Sequence, residues 1–129
     1  ARNGAEVVGL IEEQTGIAAR IISGQEEADL IYQGVAAAVP WGEAPALVVD
    51  IGGGSVEFII GTEHQPAWRT SLEIGGQRLL EMFQQHDPIL PSEVEALKTY
   101  LAEKMEPVLA QLRLYQPRTL VGSSGTFDT

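Results

Sequence analysis

Residues 46–61, Ala-Leu-Val-Val-Asp-Ile-Gly-Gly-Gly-Ser-Val-Glu-Phe-Ile-Ile-Gly, limit what this chain can fold into more than any other stretch. Two apolar, β-branched runs flank a triple glycine, which predicts adjacent strands folded back through a glycine turn. The first run (Leu47, Val48, Val49) is continuously apolar, as in a strand covered on both faces. Asp50 stands just before the turn and Glu57 just after it. A carboxylate beside buried strands is costly to desolvate, so each calls for a metal, hydrogen-bond donors or solvent. Gly52, Gly53 and Gly54 leave their amides uncovered and tolerate positive φ, so successive N–H groups can converge on one anion, with the Ser55 hydroxyl as a further donor. Carboxylates for a cation beside amides for an anion suit a metal-bound phosphate. A plain hairpin with a flexible turn is the alternative for a bare glycine run.

The rest of the chain supplies the pieces of an α/β fold. Asn3 and Glu6 predict a capped helix over about 4–15 that stops at Gly16. Ile17 to Ser23 reads as a strand. A second helix follows Ser23-Gly24, with Ala28, Ile31 and Val35 on one face and Glu26 and Glu27 in the first turn, where the helix dipole favours acids. Val39-Pro40-Trp41-Gly42-Glu43-Ala44-Pro45 breaks both helix and strand. It divides the chain into 1–43 and 44–129, with a hinge near Pro40–Pro45. Ala67 to Ile74 is a third strand, leading through Gly75-Gly76 into a helix with Leu79, Leu80, Met82 and Phe83 in the core. Ser92 and Glu95 form a capping box for a long amphipathic helix carrying Val94, Leu97, Leu101, Met105, Val108 and Leu112, which Pro107 should kink or divide. Arg118 to Val121 is a last strand, running into Gly122-Ser123-Ser124-Gly125-Thr126.

With 129 residues, 44 % of them hydrophobic, the chain has the size of one domain and material for a core. It has no cysteine, which excludes disulfides and thiolate chemistry and accords with the cytoplasm. Neither a membrane-length apolar run nor a signal-peptide pattern is present, so a membrane partner is not expected. The formal net charge of −10 argues against nucleic acid as a partner. It also sets a puzzle, because a phosphate ligand then needs a divalent cation, aimed amides, or basic groups from elsewhere in the protein.

Asp50-Ile51-Gly52-Gly53-Gly54-Ser55-Val56-Glu57 resembles the second phosphate loop of the exopolyphosphatase/guanosine-pentaphosphate phosphatase family. Ser23-Gly24-Gln25-Glu26-Glu27-Ala28 is similar to that family's Ser-Gly-x-Glu-Glu-Ala motif. The resemblance implies a partial ribonuclease H-like, actin-like ATPase fold, with the end of a first lobe and part of a second. It implies hydrolysis of terminal phosphoanhydride bonds in polyphosphate or guanosine pentaphosphate. On that pattern Glu27 is the water-activating base, Gly52, Gly53, Gly54 and Ser55 hold phosphate, and Asp50 and Glu57 hold Mg2+ or another divalent cation. Gly75 and Arg78 match a Gly-x-x-Arg-Leu step, and Gly122, Ser123, Gly125 and Thr126 match a Gly-x-x-Gly-Thr element lining the cleft. An N-terminal half of the same protein, carrying a first phosphate loop, and a homodimer of the full-length protein are the expected partners. The isolated fragment is expected to be inactive. Val56 departs from the family, many of whose members have Thr there. The other classes open at this point are an ATP-binding relative of the sugar kinases and chaperones, and a non-catalytic sensor of a phosphorylated ligand.

Overall fold

In a computed structural model that describes residues 3–127, the chain forms a mixed four-stranded sheet with helices on both faces. The elements in order are α1 (Gly4–Thr15), α2 (Gly24–Ala38), β1 (Ala46–Ile51), β2 (Val56–Gly61), β3 (Pro66–Leu72), α3 (Gly76–Phe83), α4 (Pro91–Tyr115), β4 (Thr119–Ser123) and a short 3-10 turn at Gly125–Phe127. The strand order is β3-β2-β1-β4, with β1 antiparallel to β2, β2 antiparallel to β3, and β4 parallel to β1. This is the expected α/β architecture, with the glycine hairpin at its centre.

Strand alternation splits the core in two. Val48 and Ile59, paired in register, face α2 and meet its Ala28 and Tyr32. Val49, Val56 and Phe58 face the other way and pack with Ile74 and Val108, the latter from α4. Every residue of β2 is buried, including Glu57 at 1 % exposure. Covering both faces accounts for the uninterrupted apolar runs. The long helix α4 runs through Pro107 as one element.

Several local expectations are corrected. The Asn3 side chain makes no cap bond, although Gly16 does end α1 in the left-handed conformation with its N–H on the Glu12 carbonyl. Residues 17–23 form no strand, for they pair with no neighbour in the described sheet, and Ile17 and Ile21 are exposed. Leu80 and Met82 are exposed, because α3 is short and packs Leu79 against the core. Helix α4 begins two residues earlier than the Ser92 capping box predicts, with Leu90 as N-cap, Pro91 in the first turn and Glu93 accepting the Leu90 N–H at 2.9 Å. Pro91 fits there because its missing donor would be unsatisfied in any case.

Candidate active site

The register of the central hairpin sets Asp50 directly opposite Glu57. Glu57 is paired in turn with Ser71 on β3, and Asp50 with Ser123 on β4. A row of four polar side chains therefore crosses the sheet on its α2 face: Ser71, Glu57, Asp50, Ser123. The outer two serve the inner two, since Ser71 Oγ donates to Glu57 Oε1 at 2.6 Å and Ser123 Oγ donates to Asp50 Oδ2 at 2.9 Å. Ser123 was a candidate from sequence, whereas Ser71 was missed. Its signal lies in the strand register, since it stands across from Glu57 once the β2–β3 turn is placed.

Above this row sits the start of α2. Ser23 caps it in a complete capping box, its hydroxyl accepting the Glu26 N–H while the Glu26 carboxylate accepts the Ser23 N–H. Glu26 is thereby engaged locally. Its carboxyl is held below the usual range by the Ser23 backbone bond first, and then by Arg20. The helix approaches the sheet so closely that a Cβ on Gly24 would lie 2.7 Å from Ser71 Cβ. Glu27, the next first-turn acid, faces the carboxylate row. Partial loss of solvent raises its pKa, and the charges of Glu57 and then Asp50 push it in the same direction. The structure thus brings Glu27, Asp50 and Glu57 within one electrostatic neighbourhood.

The glycine turn is held from its carbonyl side. Gly75 N–H donates to the Gly54 carbonyl, Gly76 N–H to Gly52 and Arg78 N–H to Gly53, at 3.2, 3.0 and 3.1 Å. Arg78 Nε adds a bond to the Gly54 carbonyl at 2.9 Å. With the carbonyls engaged by the start of α3, the amides of Gly53, Gly54 and Ser55 have no acceptor among the described residues. Two parts of the expected phosphate loop are corrected. The Gly52 N–H is committed to the Ser55 carbonyl at 3.0 Å, so it is not an anion donor in this conformation. Nor do the three glycines adopt the left-handed conformation that a backbone nest would use. Their lack of side chains leaves room instead, as a Cβ on Gly54 would meet nothing within 4 Å.

Gly75 is buried against the loop rather than open to the cleft, and its missing Cβ would lie 2.5 Å from Gly53 C, Gly54 C and Ser55 N. Gly122 is covered by the Phe127 ring. Gly125 is exposed, and Thr126 Oγ1 donates to the Ile51 carbonyl at 3.3 Å, which brings the end of β4 beside the end of β1.

A model of the Ppx/GppA phosphatase family matches residues 1–129. The chain belongs to that family. Among Ppx/GppA relatives, exopolyphosphatase 2 of Mycobacterium tuberculosis is 40 % identical over 114 residues, which cover 88 % of this chain and 35 % of that one. An uncharacterised protein of Streptomyces coelicolor is 33 % identical over 99 % of this chain and 39 % of its own. The chain thus spans well under half the length of these relatives. The crystal structure of an exopolyphosphatase from Cytophaga hutchinsonii superposes with a TM-score of 0.90 at 40 % identity, covering 98 % of this chain and 40 % of that one. The Aquifex aeolicus Ppx/GppA enzyme gives 0.73 at 29 % identity, covering 98 % and 40 %. The mixed sheet with its flanking helices is therefore part of the actin-like fold of the Ppx/GppA structures.

Proposed function

We propose that this chain forms one wall of the catalytic cleft of a phosphohydrolase that cleaves terminal phosphoanhydride bonds of inorganic polyphosphate or guanosine pentaphosphate. The observation that carries the reading is the glycine turn, whose carbonyls are tied back to α3 while three consecutive amides stay unsatisfied beside a carboxylate pair. Amides fixed in this way can stabilise charge on a phosphoryl group without reorganising. The names of the relatives supply the substrate class.

The donor set fits a divalent cation. Asp50 and Glu57 lie directly across from one another, and Glu57 is almost wholly buried with Ser71 as its donor. Like charges opposed across a strand pair destabilise it, and burying a carboxylate costs several kcal/mol. Hard carboxylate oxygens suit magnesium, which keeps several waters and relies on substrate phosphate for the rest of its shell. Among the described residues no group of three or more carboxylate or histidine side chains forms a metal cluster. When bound there, magnesium would neutralise charge on the phosphate. Asp50 and Glu57 would hold it, and their serines would keep both carboxylates in the row. Glu27 then orients the attacking water and accepts its proton, a role its raised pKa suits. Phosphoryl transfer asks mainly for positioning and charge stabilisation.

Basic groups from a further part of the longer protein form the opposing wall, which answers the puzzle of a net charge of −10. Among the described residues no helix is long and apolar enough to cross a membrane. A cytoplasmic location belongs to the same proposal.

The test is phosphate release by the full-length protein from polyphosphate, guanosine pentaphosphate and ATP, with and without magnesium. Magnesium-dependent release from either of the first two, and not from ATP, is expected. Glu27→Gln should lower turnover by about 10²–10⁴-fold, the usual contribution of a general base, while polyphosphate binding persists. Unchanged turnover in that variant removes Glu27 from the base role.

A further inference from the structure

We infer that Arg78 and Lys104 form a second anion subsite, which takes a phosphate group distal to the one held by the glycine turn. The inference rests on the phosphohydrolase reading and extends it to how the substrate's remaining charge is held. It starts from the disposition of positive charge on an acidic chain. Arg20, Arg69, Lys98 and Arg113 are each ion-paired with a carboxylate, at 2.7 to 3.5 Å. Lys104 has no carboxylate partner among the described residues. Its ammonium lies instead 5.5 Å from the centroid of the Tyr100 ring, which packs on Phe83 with ring centroids 5.2 Å apart. A cation seated on an aromatic face is held in place yet remains available to an anion.

Lys104 lines a cavity of ≈ 400 Å³ whose wall also holds Ser71, Glu73, Arg78, Met82 and Tyr100. Arg78 is fixed there by its Nε bond to the Gly54 carbonyl. Its Nη2 makes only a loose pair, 3.6 Å from a Glu73 carboxylate whose side chain is 80 % exposed. A phosphate oxygen can displace that contact, and a guanidinium suits phosphate by geometry as well as charge. Arg78 also lines the neighbouring hollow over Gly53 and Gly54. One side chain therefore joins the phosphate turn to the Lys104 cavity. The chemistry fits a substrate with several phosphate groups along one molecule, a feature shared by linear polyphosphate and guanosine pentaphosphate.

The experiment is equilibrium binding of long-chain polyphosphate, tripolyphosphate and guanosine pentaphosphate to the full-length protein and to its Lys104→Ala and Lys104→Arg variants, alongside phosphate release. Lys104 is exposed and belongs to neither core. Lys104→Ala should weaken binding of at least one polyanion by about tenfold, the scale of one charge-assisted phosphate contact, and Lys104→Arg should restore most of it. Loss confined to long-chain polyphosphate assigns the subsite to an extended chain. Loss confined to guanosine pentaphosphate assigns it to the nucleotide's other phosphates. Unchanged affinity for all three overturns the inference and leaves the phosphohydrolase reading intact. Absence of phosphate release by the unaltered protein, with the binding loss still present, overturns that reading and leaves the subsite standing.

Discussion

At the scale of single residues, position rather than chemical type separates the candidates. Glu26 and Glu27 are adjacent acids in one helical turn, yet one closes a capping box and the other faces two carboxylates. Their titrations should diverge accordingly. In magnesium-free protein, Glu27 should titrate above the ordinary value of 4.5 and Glu26 below it, as read by carboxyl NMR. Glu57→Gln removes one of the charges that raise Glu27 and should bring it down, whereas an unmoved Glu27 would mean the two do not interact. Because its folded pKa is raised, ionised Glu27 opposes folding, so its effect on stability becomes unfavourable as pH rises through the ordinary Glu range. Gly75 gives a different kind of prediction. A methyl group there meets three backbone atoms at 2.5 Å, so Gly75→Ala should cost about 1–3 kcal/mol by urea denaturation and distort the turn. A variant as stable as the parent would show that the contact between α3 and the turn is loose.

At the scale of elements, the best-forecast structure is that whose hydrogen bonds close locally. The hairpin was legible because Ala46–Ile51 and Val56–Gly61 carry their own turn between them, and α2 because Ser23 and Glu26 complete each other's bonds. Residues 17–23 have a strand's composition without a pairing partner in the described sheet, and partners are invisible in a local pattern. The start of α4 was misplaced by two residues because Ser92 and Glu95 offer the same spacing as Leu90 and Glu93. Glu93 prevails because it also receives the Gln85 N–H and lies 2.8 Å from His86 Nδ1. Its carboxyl is lowered by His86 first, then by the Leu90 backbone bond. A lowered acid contributes stability above the ordinary range that fades as pH falls through its folded value. Glu93→Gln should therefore lose stability near neutral pH and lose less at low pH, measured by thermal melts across that interval. An equal loss at both ends would assign Glu93 a packing role. The two cores are less subtle. Ile59→Ala, at a fully buried position on the face of β2 that α2 covers, should cost about 2–5 kcal/mol.

At the scale of the whole molecule, the apolar surface of the chain is incompletely covered. Helix α1 buries none of its residues, and Val7, Leu10, Ile11, Ile17, Ile21 and Leu30 are all exposed. The 129-residue chain should therefore bind a hydrophobic dye that the full-length protein binds far less, and equal binding would mean that these residues stay exposed in the longer protein. The candidate site was legible as residue types: both carboxylates, Glu27 and the turn occur in the sequence as motifs. What could not be read there was which amides remain available, since that depends on α3 engaging the turn's carbonyls from outside the motif. The turn is thus divided, with its carbonyls inward and its Gly53, Gly54 and Ser55 amides outward. The phosphate-binding role of these amides is tested most directly by a crystal structure of the full-length protein with magnesium and a non-hydrolysable imidodiphosphate analogue. Phosphate oxygens are expected within hydrogen-bond reach of the Gly53, Gly54 and Ser55 amides, with the cation between Asp50 and Glu57. A phosphate bound away from these amides, with the turn unchanged, would contradict that role.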